Sequence, residues 1–115
     1  MKDDHAYLLH ILDAADQALL YASEGEANFK SDRKTRDAVL RNLEVIGEAA
    51  KNVSRESRRR HPGVPWKRIT GLRDIIIHQY FGVNYPRVWE VLTVDLPPLR
   101  DQIQSLLAEF PVTLI

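Results

Sequence analysis

Three residues near the middle of the chain carry side chains suited to phosphate chemistry. Arg73, His78 and Tyr80 fall within eight positions, in the stretch Pro65 to Tyr80, PWKRITGLRDIIIHQY. Histidine titrates near neutrality and can take and return a proton. Arginine stays charged and can clamp a phosphate and stabilise charge that develops on it. A phenol can orient a phosphate or stack on a base. This set suffices for RNA cleavage without a metal. His78 would deprotonate a ribose 2′-hydroxyl, which attacks the adjacent phosphorus while Arg73 steadies the charge. The products would be a 2′,3′-cyclic phosphate or its opened 3′-phosphate, and a 5′-hydroxyl.

Each residue also has a plain structural reading. A lone histidine on a helix is more often a hydrogen-bond partner, and an arginine more often a solvated or paired cation. A tyrosine more often packs with a wet hydroxyl. Asp74 can pair with either neighbour or orient the imidazole. In a helix each residue turns about 100°. Arg73 and His78 are therefore about 140° apart and do not lie side by side on a straight helix. A bend, a frayed end, or two copies facing each other across a two-fold axis would bring them together.

The elements that must position these groups read as helices. Leu8, Ile11, Leu12, Ala15, Ala18 and Leu19 recur at three- and four-residue steps, predicting a helix over residues 3–22 that Asp3 or Asp4 can cap or whose dipole they can complement. Gly25 stops it, and a loop is expected next. Ser31 or Asp32 starts a second helix, to about Val53, with Val39, Leu40, Leu43, Ile46 and Ala50 inward and Gly47 at a close approach. A basic helical turn, Ser54 to Arg60, ends at His61-Pro62-Gly63. Pro65 suits the first turn of the helix that carries the motif, which should end near Tyr80 or Phe81. Gly71 inside it marks a possible kink. Asn84 caps a last helix, interrupted near Pro97-Pro98, where Asp95 can cap the restart. Leu99, Ile103, Leu106 and Leu107 then face inward. The expected fold is all-α: one domain over residues 1–115, an antiparallel up-and-down four-helix bundle with short extra helical segments. Trp66, Trp89 and Phe81 read as core or interface anchors.

The formal charge of zero hides an asymmetry. Residues 1–26 carry one cation and six acids, whereas residues 51–73 carry eight cations and one acid. By default these are solvated helix faces. The alternative is a basic surface that meets phosphates, with Arg58, Arg59, Arg60, Lys67 and Arg68 as contacts. The absence of cysteine excludes thiolate chemistry, disulfides and cysteine-based zinc sites. His5 and His10 have no metal-ligand spacing, so neither metal nor cofactor is expected. The start Met-Lys-Asp-Asp has no apolar run behind it, and no stretch approaches the roughly 18 apolar residues of a membrane span. A cytoplasmic protein is the expectation.

Arg73-x4-His78-x-Tyr80 resembles the R-x4-6-H-x-Y signature of HEPN-domain proteins. More specifically, the chain looks like HepT, the toxin of HepT–MntA toxin–antitoxin pairs. Ile46-Gly47-Glu48-Ala49-Ala50, Pro65-Trp66 with Ile69-x-Gly71-x-Arg73-Asp74, and Asp95-Leu96-Pro97 resemble the HepT pattern in the same order. The resemblance implies a homodimeric, metal-independent endoribonuclease with its site in a cleft between protomers and with Arg73 and His78 as catalytic pair. Asp74 takes the polar position after the arginine and supports them. The resemblance also implies a partner, an MntA-like nucleotidyltransferase antitoxin that silences the toxin by transferring AMP to Tyr80. A non-catalytic HEPN subunit that presents substrate or nucleotide to such a partner is the alternative. So is a dimeric helical scaffold with no nucleic-acid role.

Overall fold

The computed structural model describes residues 3–78 and 84–110, with backbone alone at positions 73–75, 77 and 78. All regular structure among the described residues is helical: α1 (Asp4–Ala22), α2 (Glu26–Ser31), α3 (Arg33–Asn52), α4 (Arg55–Arg60), α5 (Trp66–His78), α6 (Tyr85–Glu90), a π-helical turn (Val91–Asp95) and α7 (Leu96–Leu107). The long segments α1, α3, α5 and α6–α7 make up the expected bundle. Helix α3 is its spine and packs against both α1 and α5, while α7 lies along α1.

The apolar periodicity of each helix becomes one shared core. Leu8, Ile11 and Ala15 of α1 meet Val39, Leu43, Ile46 and Ala50 of α3, with Leu92, Leu96 and Ile103 closing the other side. Burying a side chain of this size contributes roughly 1.5–3 kcal/mol, so such positions dominate the stability of the bundle. Gly47 and Ala49 are buried on α3, which allows its neighbours a close approach.

Local signals set the helix ends. Gly25, at φ +98°, supplies the left-handed residue that turns the chain after α1. Asp32 accepts from the Lys34 amide at 3.3 Å and the Thr35 hydroxyl at 2.7 Å, capping α3. These bonds, the one from Thr35 first, hold its carboxyl below the usual range. Ser54 caps α4 through the Ser57 amide at 3.1 Å, and Asn84 caps α6 through the Arg87 amide at 3.1 Å. The indole N–H of Trp66 donates to the His61 carbonyl at 3.0 Å and pins the turn before α5.

Several expectations change. The segment after Gly25 is not a loop: it folds as α2, which buries Phe29 completely. Asp4 does not cap α1; its buried carboxylate accepts from the Ser54 amide at 2.8 Å, the Ser54 hydroxyl at 2.6 Å and the Ser57 hydroxyl. Nor does Asp3 make a side-chain cap.

The interruption near Pro97-Pro98 takes the form of the π-helical turn, with no break in the chain's helical course. The Leu96 amide donates back to the Val91 carbonyl, and backbone angles stay helical from Glu90 to Leu96. Prolines lack the amide that would bond four residues back, and their rings crowd that carbonyl. A widened turn just upstream accommodates both effects. Asp95 makes no cap; it pairs with Arg68 at 3.1 Å.

No helix among the described residues is long and apolar enough to cross a membrane.

Candidate active site and nucleic-acid face

Helix α5 carries the motif. It begins at Trp66, where the Ile69 amide donates to the Pro65 carbonyl at 3.0 Å, and continues through Gly71 to His78 without a break. Its inward face is Trp66, Ile69, Leu72 and Ile76, anchored against α3. The chain therefore holds Arg73, Asp74 and His78 on one continuous helix. The rotation of about 140° between Arg73 and His78 persists, together with a rise of about 7.5 Å. Tyr80 and Phe81 lie outside the described residues, as do the side chains of Arg73, Asp74 and His78.

By register, His78 continues the stripe of Gly71. Seven residues separate them, a net rotation of only about 20° over about 10 Å. Gly71 lines an open groove of about 400 Å³ between α5 and the π turn with the start of α7. Ile69 and Leu72 contribute from one side, Val91 and Leu99 from the other. Val94, large, apolar and exposed, stands at its edge. The Arg68–Asp95 ion pair spans from α5 to the π turn, and Arg87 adds a second cation to the lining.

The five expected phosphate contacts fall on two neighbouring elements. Arg58, Arg59 and Arg60 occupy the last turn of α4; Lys67 and Arg68 open α5, across the turn at 61–65. Arg59, Lys67 and Arg68 are exposed; Arg60 is exposed but pairs with Glu56 at 3.4 Å, and Arg58 is half-buried. Along the chain the array leads into the motif helix. The acids of α1 do not simply answer it. Asp16 pairs with Arg100 of α7 at 2.7 Å, and the hydrogen bond that the guanidinium donates to that carboxylate raises the Arg100 pKa.

A second cluster joins α2 and α3 to α6. Phe29 of α2 packs on Trp89 and Tyr85 of α6, with ring centroids 5.4 and 6.1 Å apart. The Arg36 guanidinium of α3 lies 5.2 Å from the Tyr85 ring centroid and donates to the Lys30 carbonyl. These contacts hold the start of α6. Trp89 is the anchor the sequence marked; Phe29 was not visible there, because α2 is too short to show a helical period. No group of three or more potential metal ligands occurs among the described residues.

The family model described as ribonuclease HepT-like matches residues 11–106, which include the entire motif. This chain belongs to the ribonuclease HepT-like family. HepT-like relatives extend along nearly the full chain. A protein of Caldanaerobacter subterraneus subsp. tengcongensis named "Putative RNase" is 42% identical over 109 residues, covering 93% of this chain and 96% of its own. One of the same designation from Methanocaldococcus jannaschii is 36% identical over 104 residues, 90% of this chain and 95% of its own. A "Probable ribonuclease HepT" of Thermococcus cleftensis is 42% identical over 79 residues, 69% of this chain and 72% of its own. No solved structure gives a significant match.

Proposed function

We propose that this HepT-like chain is a metal-independent endoribonuclease acting as a homodimeric toxin. Membership of a ribonuclease family, over a match that contains Arg73, His78 and Tyr80 at the motif's spacing, carries the reading. His78 removes the proton of a ribose 2′-hydroxyl, and that oxygen attacks phosphorus. The bond to the 5′-oxygen breaks, and the departing oxygen regains a proton from the imidazolium. Arg73 compensates the charge on the non-bridging oxygens, and Asp74 supports the pair. Arg58, Arg59, Arg60, Lys67 and Arg68 attract and track the backbone.

The rotation between Arg73 and His78 supports a site assembled by two copies of the 1–115 domain. Regulation follows from the same residues. An MntA-like nucleotidyltransferase joins AMP from ATP to the Tyr80 oxygen and releases pyrophosphate. The adduct blocks RNA by bulk and by negative charge beside Arg73. The setting proposed is the cytoplasm, where RNA, ATP and the antitoxin meet.

The test is cleavage of RNA by purified protein in EDTA. Arg73→Ala and His78→Ala should each abolish it with the fold intact, and robust cleavage by both variants removes these residues from the mechanism. Expression alone should arrest growth, and co-expression of the nucleotidyltransferase should relieve the arrest and leave AMP on Tyr80. Adducts only on Tyr7, Tyr21 or Tyr85 would refute that assignment.

A further inference from the structure

The groove beside α5 has a gap that the fold does not use. A glycine inside a helix is unfavourable against alanine, and it is normally retained where another group approaches closely. Among the described residues Gly71 meets no such group: a Cβ placed there finds no heavy atom within 4 Å beyond its own helix and chain neighbours. The missing side chain leaves the groove open. Its walls, Ile69, Leu72, Val91 and Leu99, are apolar, and its lining includes the exposed Arg87, whose guanidinium enters no ion pair among the described residues. An apolar slot with a cation beside it matches a nucleotide, a flat apolar ring joined to an anion. The slot also lies on the stripe that His78 continues, about two helical turns away.

We propose that this groove receives an unpaired base next to the scissile phosphate, with Arg87 meeting a neighbouring phosphate. The proposal rests on the ribonuclease reading, since it places the base relative to His78. A base stacked inside a duplex cannot enter the slot, so paired RNA is excluded by shape.

The experiment measures binding apart from cleavage. Hexanucleotides with 2′-O-methyl riboses lack the attacking hydroxyl and cannot be cut. They are titrated against the full chain, Gly71→Ala, Gly71→Leu and Arg87→Ala, with folding checked by circular dichroism and oligomeric state by light scattering. Gly71→Leu should weaken single-strand binding about tenfold, the scale of losing one stacked base. Gly71→Ala should lose less, and Arg87→Ala should reduce the salt dependence of binding. Replacing one base by an abasic sugar should cost the wild type the same tenfold and cost Gly71→Leu nothing further. A duplex of the same sequence should bind more weakly than the single strand.

Equal binding by Gly71→Leu and wild type would overturn the proposal, and so would equal binding of duplex and single strand. A changed oligomeric state in folded Gly71→Leu would assign the groove to a second copy of the chain instead. If Gly71→Leu fails to fold, the abasic comparison on wild type and the Arg87→Ala salt dependence decide. Unmodified RNA is tested in parallel. Base-dependent binding without cleavage would sink the nuclease reading and keep the groove; cleavage indifferent to Gly71 would do the reverse.

Discussion

Asp4 and Ser54 are fifty residues apart in the chain and joined twice in space. The Asp4 carboxylate accepts from the Ser54 amide at 2.8 Å and from its hydroxyl at 2.6 Å. Ser57 adds a third donor. One carboxylate thus ties the start of α1 to the start of α4, the helix that carries the arginine triplet.

Asp4 makes the bundle acid-sensitive. Burial opposes its ionisation, but the hydrogen bonds from Ser54 and Ser57 together outweigh burial and hold the carboxyl below its ordinary 3.8. A carboxyl whose pKa is depressed on folding stabilises the protein above the unfolded value, and that stabilisation is lost as pH falls through the folded value. Chemical unfolding between pH 7 and pH 3 should show wild type losing this contribution below about pH 4. Asp4→Asn should start less stable and show a shallower acid limb. Asp4→Ala should cost about 1–3 kcal/mol at pH 7, because donors that were satisfied lose their partner. An unchanged acid limb in Asp4→Asn would assign the acid sensitivity to other groups.

Phe29 separates a helix from a loop in energetic terms. Its side chain is completely buried against Tyr85 and Trp89. Phe29→Ala should destabilise the protein by about 3–5 kcal/mol in denaturant melts. A residue on a surface loop would cost almost nothing. Tyr85→Ala, at a half-buried ring that also carries the Arg36 contact, should cost less.

The contrast between Phe29 and Leu43 shows what was legible in the chain. Leu43 belongs to a 20-residue helix whose apolar positions repeat for five turns, so its burial follows from period alone. Phe29 sits in six residues, too few to establish a period, and its burial depends on rings more than fifty residues later. Asn84 was readable as a cap, and Asp32 as one of two candidate helix starts, because the capping bond is local. Asp4 was not, since an aspartate at a helix start has two uses and only the tertiary fold chooses between them. The motif was legible as chemistry by residue type and spacing. The groove was not, because its two walls lie 19 or more residues apart; Gly71 was its one visible sign.

Arg68 should matter to RNA more than to folding. Its pair with Asp95 is mostly exposed, and such pairs contribute about 0–1 kcal/mol. Arg68→Ala should shift stability by about 0.5 kcal/mol or less. If Arg68 meets a phosphate, the same change should lower single-strand affinity at low salt. It should also reduce the slope of log affinity against log salt by about 0.7. Matched titrations from 50 to 200 mM salt measure both. A preserved slope would return Arg68 to a purely structural pair.

The separation of Arg73 and His78 on α5 yields a test of the two-copy site that needs no view of either side chain. Arg73→Ala and His78→Ala should each be inactive alone. Unfolded together and refolded at equal concentration, they should pair at random, so about half of the dimers carry one of each. If every site takes its arginine from one protomer and its histidine from the other, each mixed dimer holds one complete site. The other site in that dimer lacks both groups. The mixture should then recover about a quarter of wild-type cleavage per dimer. Should each protomer instead complete its own site, every site in the mixture lacks one group and no activity returns. The recovered fraction therefore decides whether α5 alone, or α5 facing its copy, makes the catalytic pair.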